Sequence, residues 1–492
     1  MRGALMVVGT ASDVGKSHVV TGLCRALHRR GVRVAPFKAQ NMSLNSAVTA
    51  DGGEIGRAQA VQAFAAGIEP EVSMNPVLLK PSGGMSCQVV VLGHPATELT
   101  ASAYHDYKPN LMPTVLASLA SLRSRFDVVL LEGAGGAAEI NLLDRDIVNL
   151  PLAVAAGVKA IVVGDIDRGG VFASLHGTHA LLPADQGATI GGFVINKLRG
   201  DASLLLDGTS QLEAITGVPT LGALPHIGGL SLDAEDSLAL DGPPPHPALV
   251  TPTVLDVAAI RWPHLANATD LDPLFIEPGV GVRWVTHAAA LGEPDLIVLP
   301  GTKATIADLT WFRATGLDGA ISNSGAVILG VCGGYQMLGT SIEDSAGAEA
   351  PAGSCAAGLG LLGVKTTFEP DKTVQRRAGT GLRTTVSGYE IHHGRSVRGR
   401  TVAPWLRLDG EDEGAISSNG RHVYGTNLHG LFESDAFRHA FLAHLAAVRG
   451  VRWEPSTVEF GSARMAQVDR LADLVEAHLD MAAVERLIEA AR

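Results

Sequence analysis

The feature that most constrains the fold of this chain is a repeated alternation of short apolar runs with helical patterns. Short apolar runs bounded by Gly or Asp are typical of buried strands, and their alternation with helices is typical of a parallel sheet. The sequence therefore predicts an α/β fold in both halves of the chain. The predicted strands are Ala4–Val8, Val32–Phe37, Val128–Leu131, Ala160–Val163, Phe193–Ile195, Val254–Ile260, Leu296–Leu299, Val327–Leu329 and Val423–Gly425.

The length of the chain and one proline-rich stretch predict its division into domains. A chain of 492 residues is too long for one ordinary core. Residues 241–247 read D-G-P-P-P-H-P, and so many prolines neither pair in a sheet nor continue a helix. We therefore expect a first domain at 1–240, a linker at 241–250, a second domain at 251–447 and a helical extension at 448–492.

Two stretches depart from the strand–helix alternation. Residues 346–381 are rich in Gly, Ala and Thr, which predicts loop or edge structure. From Ala463 onward, apolar residues follow helical spacing, which predicts C-terminal helices packed on a domain.

The bulk composition excludes several classes of protein. A net charge of −12 argues against a nucleic-acid partner. No run approaches eighteen consecutive apolar residues, and the N-terminus lacks the order of a signal peptide, so we expect a soluble cytoplasmic protein without a membrane partner. The four cysteines form no C-x-x-C metal spacing and no disulfide framework. The sequence specifies no oligomeric state.

A phosphate-binding loop follows the first predicted strand. Residues 9–17 read G-T-A-S-D-V-G-K-S and precede a helical run, which is the setting of a P-loop. Backbone N–H groups from Gly9 and Thr10 to Gly15 would cradle phosphates, Lys16 would neutralise them, and Ser17 would hold Mg²⁺. Five residues separate the two glycines, where the ordinary motif has four. This variant resembles the loop of dethiobiotin synthetases and related amide-forming ligases; a Gly-rich turn without function is the alternative.

Polar residues at other strand ends complete a candidate nucleotide site. Open α/β sheets bind ligands at the carboxyl ends of their strands. Glu132 ends the run D-V-V-L-L-E and is a candidate Mg²⁺ ligand, with Asp13 of the loop as a second. Asn196, in G-F-V-I-N-K, stands where related ligases use Asn to read adenine. A solvated Glu132, and Asn196 or Asp13 as turn residues, remain the alternatives.

A cysteine on a predicted strand-to-helix turn indicates a second active site. Cys332 lies in L-G-V-C-G-G, where flanking glycines tolerate a sharp turn and a helix N-terminus favours the thiolate. His429, in Y-G-T-N-L-H-G, ends another strand and is the expected base. The N–H groups of Gly301 and Gly333 are candidates for an oxyanion hole. An inert buried cysteine is the alternative.

The third member of this site is not evident from the sequence. Class I glutaminases usually carry Glu two residues after the histidine, but Leu431 occupies that position. Glu433 lies two positions further on, and its reach to His429 is left open. We therefore predict a Cys–His pair without an assigned third member.

The ordered motifs of the whole chain resemble the cobyric acid synthases, glutamine-hydrolysing ligases of cobalamin biosynthesis. The resemblance implies an N-terminal ligase domain like dethiobiotin synthetase and a C-terminal class I glutamine amidotransferase domain. Besides the loop, it rests on K-A-Q-N-M-S-L-N-S at 38–46, N-P-V-L-L-K-P at 75–81, G-D-I-D-R-G-G-V-F-A at 164–173, N-K-L-R-G-D at 196–201, L-P-G-T-K-A-T-I-A-D-L at 299–309 and G-Y-E-I-H-H-G at 388–394.

The resemblance implies a substrate and a reaction. The family uses ATP, Mg²⁺ and glutamine to amidate the b, d, e and g carboxylates of the corrinoid adenosylcobyrinic acid a,c-diamide, giving adenosylcobyric acid. Lys38 matches a lysine that dethiobiotin synthetases place near the substrate and the γ-phosphate. Gln40, Asn41, Lys80 and Arg168 are weaker candidates for the corrin or nucleotide site, with purely local hydrogen bonding as the alternative.

Two other functions remain in competition at this stage. A related enzyme such as cobyrinic acid a,c-diamide synthase or a cell-wall amidotransferase would share the architecture but not the substrate. A P-loop switch or partition ATPase would share the first domain only, and would leave Cys332 and His429 without a role.

Overall fold

The N-terminal unit, from β1 to β12, is built on a parallel sheet. The computed structural model describes residues 1–83, 86–229, 252–400, 402–417 and 420–491, so the predicted linker at 241–250 lies outside the described residues. The strands are β1 Gly3–Gly9, β2 Val34–Phe37, β3 Gln40–Met42, β4 Ser46–Val48, β5 Glu54–Gly56, β6 Val77–Gly83, β7 Ser86–Val91, β8 His94–Thr100, β9 Val128–Glu132, β10 Lys159–Asp165, β11 Ile190–Leu198 and β12 Thr220–Pro225. The helices are α1 Lys16–Arg29, α2 Arg57–Ala65, α3 Ala101–Tyr107, α4 Met112–Arg125, α5 Leu150–Ala156, α6 Val171–Leu181, α7 Ala184–Gly187 and α8 Leu206–Thr216.

The order of strands in this unit brings the predicted site residues to one edge. The main sheet runs β12-β11-β10-β1-β9-β2 and is parallel throughout. Because β1 lies between β10 and β9, its loop faces the ends of both neighbours. The strands β3, β6, β7 and β8 form a separate small sheet beside it.

The C-terminal unit, from β13 to α12, has a second sheet of the same kind. Its main sheet runs β14-β13-β15-β16-β24-β23 and is parallel except for β23. The strands are β13 Leu255–Ile260, β14 Val280–Val285, β15 Leu296–Leu299, β16 Val327–Val331, β17 Ser341–Asp344, β18 Ser354–Ala357, β19 Val364–Gly381, β20 Thr384–Arg398, β21 Leu406–Leu408, β22 Glu411–Glu413, β23 Ala415–Ile416 and β24 Val423–Thr426. The helices are α9 Thr305–Ala314, α10 Leu317–Asn323, α11 Gly333–Leu338 and α12 Asp435–Arg449.

The α/β fold and its predicted strands are confirmed, with boundaries that differ by a few residues. One expectation was wrong in part, because 346–381 is not mainly loop. It contains β18 and the long β19, which pairs with β20 outside the main sheet. The first residues of β19 alternate buried and exposed, so one face of the strand packs while the other meets solvent.

The last two helices return to the N-terminal unit. They are α13 Phe460–His478 and α14 Met481–Glu489. Val468, Val475 and Val484 are buried in the same core cluster as Leu23 and Leu27 of α1. Ion pairs such as Arg25–Asp469, at 2.7 Å, line the edge of this contact. The chain therefore completes its first core only after it has passed through the C-terminal unit.

Candidate active site

The loop between β1 and α1 has the backbone geometry of a phosphate cradle. Gly15 caps α1 with φ 96°, and a Cβ there would lie 2.1 Å from Asn196 Nδ2, so this position requires glycine. Lys16 Nζ donates to Ala11 O at 2.9 Å and to Gly135 O at 2.8 Å. The lysine thus lies across the mouth of the loop, beside the end of β9.

The ends of β9 and β2 and the start of α1 bring three predicted residues together. Glu132 Oε1 accepts from Ser17 Oγ at 2.8 Å and from Lys38 Nζ at 2.9 Å. Gln62 Nε2, on α2, donates to the other carboxylate oxygen. Glu132 and Lys38 are 1% and 3% exposed, so this charge pair is shielded from solvent. No local sequence pattern indicates Gln62, because a glutamine within a helix is not distinctive.

The residues at this edge fit a magnesium ion that is shared with phosphates. Ser17 and Glu132 offer a hydroxyl and a carboxylate side by side. Mg²⁺ is typically held by one or two carboxylates together with substrate phosphates. Among the described residues, no three His, Cys, Asp or Glu side chains cluster as a metal cage. Asp13 is exposed on the loop with φ 57°, and its described contact is from Lys197 Nζ to its backbone oxygen, so its role as a second ligand stays a prediction.

A pocket at the ends of β11 and β12 lies next to the loop. Asn196 lines it, and its Nδ2 donates to Val14 O at 2.8 Å. Thr10 is joined to the neighbouring strand through its N–H, which donates to Val163 O at 3.0 Å. Leu471 and Leu474 of α13 form an apolar wall of the pocket. No local sequence pattern predicts this wall, since nothing local shows where a terminal helix packs.

Three of the four weaker substrate candidates lie on the paired strands β3 and β6 of the small sheet, and the fourth follows β10. Gln40 and Asn41 lie on β3, where Gln40 Oε1 accepts from Tyr104 Oη at 2.6 Å. Arg168 is exposed on the loop after β10. Lys80 is 3% exposed and pairs with the Glu54 carboxylate. Its pairing is thus of the same kind as that of Lys38 with Glu132, and a substrate role for Lys80 stays a prediction.

Cys332 lies on a sharp turn between β16 and α11. Its φ of 51° and ψ of −113° are rare for a residue with a side chain, and such strain is concentrated at functional sites. A Cβ on Gly334 would lie 1.8 Å from Leu299 O, and one on Gly333 would lie 2.6 Å from Thr302 Cγ2. Glycine on the C-terminal side therefore allows the turn to pack against the end of β15, as the sequence predicts.

His429 lies against Cys332 and is held by an aspartate. The imidazole is hydrogen-bonded to Cys332, and its Nδ1 lies 2.7 Å from Asp270 Oδ2. The other Asp270 oxygen accepts from Gly430 N at 2.7 Å. The ring of Tyr389 stacks on the imidazole with centroids 5.4 Å apart. A Cβ on Gly301 would lie 2.9 Å from His429 Cε1, so Gly301 borders the same site.

The electrostatics of this site keep a proton on the histidine. Burial alone would lower the pKa of His429, but the charges and hydrogen bonds of Asp270 and Cys332 outweigh it and raise the pKa to about 10. His429 is 1% exposed, so solvent screens these charges little.

Asp270 is a second functional residue that no sequence pattern indicates. It lies in the 3₁₀ segment Ala268–Ile276, far from His429 along the chain. Glu433, whose reach was left open, instead pairs with Arg57 at 2.6 Å and with Arg464 at 3.2 Å. No local spacing indicates Asp270, because its partner His429 follows a different strand, far away along the chain.

Two family models match the chain, one on each unit. A CobQ/CobB/MinD/ParA nucleotide binding domain matches residues 5–237, and a CobB/CobQ-like glutamine amidotransferase domain matches residues 256–437. No helix of the described residues is long and apolar enough to cross a membrane.

Curated relatives match over nearly their whole length. Cobyric acid synthase of Rhodococcus jostii is 52% identical over 99% of this chain and 96% of the relative. The enzymes of Nocardia farcinica and Frankia casuarinae are 51% and 50% identical, each over 99% of this chain and 97% of the relative. Among solved structures, a glutamine amidotransferase aligns with 40% of this chain and 99% of its own, at 16% identity and a TM-score of 0.29.

Proposed function

The chain belongs to the cobyric acid synthase family, and from this premise we propose that it amidates the b, d, e and g carboxylates of adenosylcobyrinic acid a,c-diamide. It is an ATP-dependent, glutamine-hydrolysing amidotransferase of cobalamin synthesis. The match to cobyric acid synthases supports the choice of substrate, and two buried charge constellations in one chain support the two-step chemistry. One is Lys38–Glu132 beside the phosphate loop, and the other is Cys332–His429–Asp270.

The N-terminal unit would activate the acid. A carboxylate is a poor electrophile, so the γ-phosphoryl group of ATP passes to a carboxylate oxygen and forms an acyl phosphate with release of ADP. Lys16 and the loop N–H groups bind the phosphates, and Ser17 and Glu132 would hold Mg²⁺, which neutralises charge on them. Lys38, whose ammonium pairs with Glu132 at 2.9 Å, would orient the acyl phosphate. Ammonia then attacks the carbonyl carbon, and phosphate leaves.

The C-terminal unit would supply the ammonia. The Cys332 thiolate attacks the side-chain amide carbon of glutamine, and His429 gives its proton to the departing ammonia. Water then hydrolyses the thioester to glutamate and restores the thiol. Asp270 accepts from Nδ1 of His429 and so fixes the ring with Nε2 toward the thiol. The N–H groups of Gly301 and Gly333 are the proposed oxyanion donors.

Amidation by the purified chain tests the proposal directly. The protein is incubated with adenosylcobyrinic acid a,c-diamide, ATP, Mg²⁺ and glutamine carrying heavy nitrogen in its side-chain amide. Mass spectrometry should find four labelled amides in the product. Failure to gain any amide group refutes the assignment, whereas amidation of a less amidated corrinoid alone favours the related diamide synthase.

Substitution of the nucleophile separates the two halves of the reaction. Cys332→Ser should lose glutamine-dependent amidation and retain amidation with added ammonium chloride, since the N-terminal unit is untouched. The matched control is Cys355→Ser, because this cysteine is exposed on β18. A partition or switch ATPase would instead show no dependence on Cys332 in either assay.

A further inference from the structure

The two units are joined by a pair of buried asparagines. Asn45, just before β4, accepts the N–H of Ala268 on its Oδ1 at 3.2 Å. In return, Asn267 Oδ1 accepts the N–H of Ser46 at 2.9 Å. The asparagines are 1% and 3% exposed. Each side chain therefore satisfies a backbone donor of the other unit, away from solvent.

Asn267 begins the segment that carries Asp270. Its φ of 54° and ψ of 44° are left-handed, a conformation that asparagine tolerates better than most residues. The Asp270 N–H donates to Asn267 O at 3.1 Å, which forms the first turn of the 3₁₀ segment. Asp270 then holds both the imidazole of His429 and the N–H of Gly430. A contact from the N-terminal unit thus lies one turn from the carboxylate that orients the histidine.

The same contact leads back to the phosphate site. The Arg57 N–H, at the start of α2, donates to Asn45 O at 3.0 Å. Gln62, on the same helix, donates to the carboxylate of Glu132. Arg57 also reaches across the interface to Glu433, just after His429. Helix α2 therefore links the two regions. Its Gln62 bonds to Glu132, the proposed metal ligand, and its Arg57 bonds to Asn45 in its own unit and to Glu433 in the other.

We propose that the N-terminal unit completes the glutaminase site, with Asn45 and Asn267 as positioning residues for Asp270 and His429. The inference rests on the proposed function, since it assigns a role within that same site. Without the two asparagine contacts, the N–H groups of Ala268 and Ser46 are buried without partners, and the turn bearing Asp270 relaxes to satisfy them. His429 then loses its alignment with Cys332, although every catalytic group is still present.

Kinetics of the full-length protein test this role. Asn45→Ala should lower kcat for glutamine hydrolysis about 10-fold, because small misplacements of catalytic groups are costly. KM for glutamine and amidation with ammonium chloride should be unchanged. Asn45→Asp keeps the acceptor oxygen and should restore most of the loss. Asn267→Gly keeps the left-handed turn without the acceptor and should repeat the defect of Asn45→Ala.

The matched control is another contact across the same interface. Arg376 Nε donates to Val48 O at 2.8 Å and its guanidinium pairs with Glu69, without touching the Asn267–Asp270 turn. Arg376→Ala should therefore leave kcat for glutamine hydrolysis unchanged.

Three outcomes would overturn the inference. They are wild-type glutamine hydrolysis by Asn45→Ala and Asn267→Gly, a parallel loss of ammonia-dependent amidation, or an equal defect in Arg376→Ala. The proposed function fails in a different way, since the wild-type protein would then not amidate the corrinoid with glutamine at all.

Discussion

Asp270→Asn isolates the contribution of one buried carboxylate to the glutaminase site. The substitution preserves size and one acceptor oxygen but removes the negative charge 2.7 Å from His429 Nδ1. It also allows an amide N–H to face the imidazole, which favours the wrong tautomer, as in the serine protease triad. The protein should fold, because the Gly430 N–H can keep its acceptor.

The size of the effect follows from the charge balance at His429. The rise of its pKa from 6.5 to about 10 corresponds to about 5 kcal/mol. This is a net value, because Asp270 and Cys332 also offset the cost of burial, so the aspartate, whose charge acts more strongly than that of Cys332, contributes at least about 2–3 kcal/mol. Removing it should lower kcat for glutamine hydrolysis about 100-fold. The pKa of His429 should fall as well, which moves the alkaline limb of the pH–rate profile to lower pH.

Steady-state glutamine hydrolysis across a pH series measures both effects. The informative control is Glu433→Gln, because Glu433 is the nearer acidic residue in sequence but pairs with Arg57 and Arg464. Glu433→Gln should show the same pH–rate profile of glutamine hydrolysis as the wild-type protein. Wild-type kcat in Asp270→Asn, or a larger loss in Glu433→Gln, would show that the aspartate does not orient the histidine.

Three further substitutions test other parts of the molecule. Glu132→Gln should lower amidation about 100-fold with either glutamine or ammonia as donor, while glutamine hydrolysis persists, because only the phosphate site loses a charge. His393 is buried and its pKa is lowered to about 4, chiefly by burial, so the unfolded state takes up a proton between pH 6.5 and 4 that the folded state does not. The free energy of unfolding should therefore decrease as the pH is lowered from 6.5 to 4, by up to about 1.4 kcal/mol per pH unit from this group. Urea titrations of His393→Gln should show a smaller decrease over the same pH range. Gly334→Ala should destabilise the protein by at least about 2 kcal/mol, since the new Cβ meets Leu299 O at 1.8 Å, whereas Gly319→Ala, with open space around it, should not lower Tm.

Local patterns were sufficient to predict the fold because each strand of the two main sheets is a short apolar run that can be identified without its neighbours. The run preceding Gly9 is buried along its whole length, and its apolar residues leave no other environment for it. The expectation for 346–381 was less accurate because β19 is stabilised by its pairing with β20 rather than by its own composition. Strand β19 also pairs with β17 and β21, and strands that are stabilised by their partners are harder to predict from propensity.

The candidate sites were likewise predicted where residues follow neighbouring strands and missed where they do not. Lys38 and Glu132 end adjacent parallel strands, so topology alone places their side chains together. Cys332 and His429 likewise follow β16 and β24, which are neighbours. Asp270 follows no strand of this kind; it lies in a 3₁₀ segment whose position depends on long-range packing. A sequence motif indicates catalytic residues that lie on, or directly after, one strand or helix. It does not indicate a partner residue that tertiary packing brings from elsewhere in the chain.

The path of the chain gives a physical reason for an interface that positions catalytic groups. The core around Leu23 includes Val468 and Val484, so the N-terminal unit is complete only when residues beyond the C-terminal unit have packed on it. The C-terminal unit is therefore tethered to the N-terminal one at both of its ends, which raises the effective concentration of each interface contact. Individually weak bonds such as those of Asn45 and Asn267 then persist beside the apolar contact of Val48 with Tyr389 and Ile391. Because docking is maintained by chain topology, the interface itself can be polar, and polar contacts are the kind that fix the orientation of a buried turn.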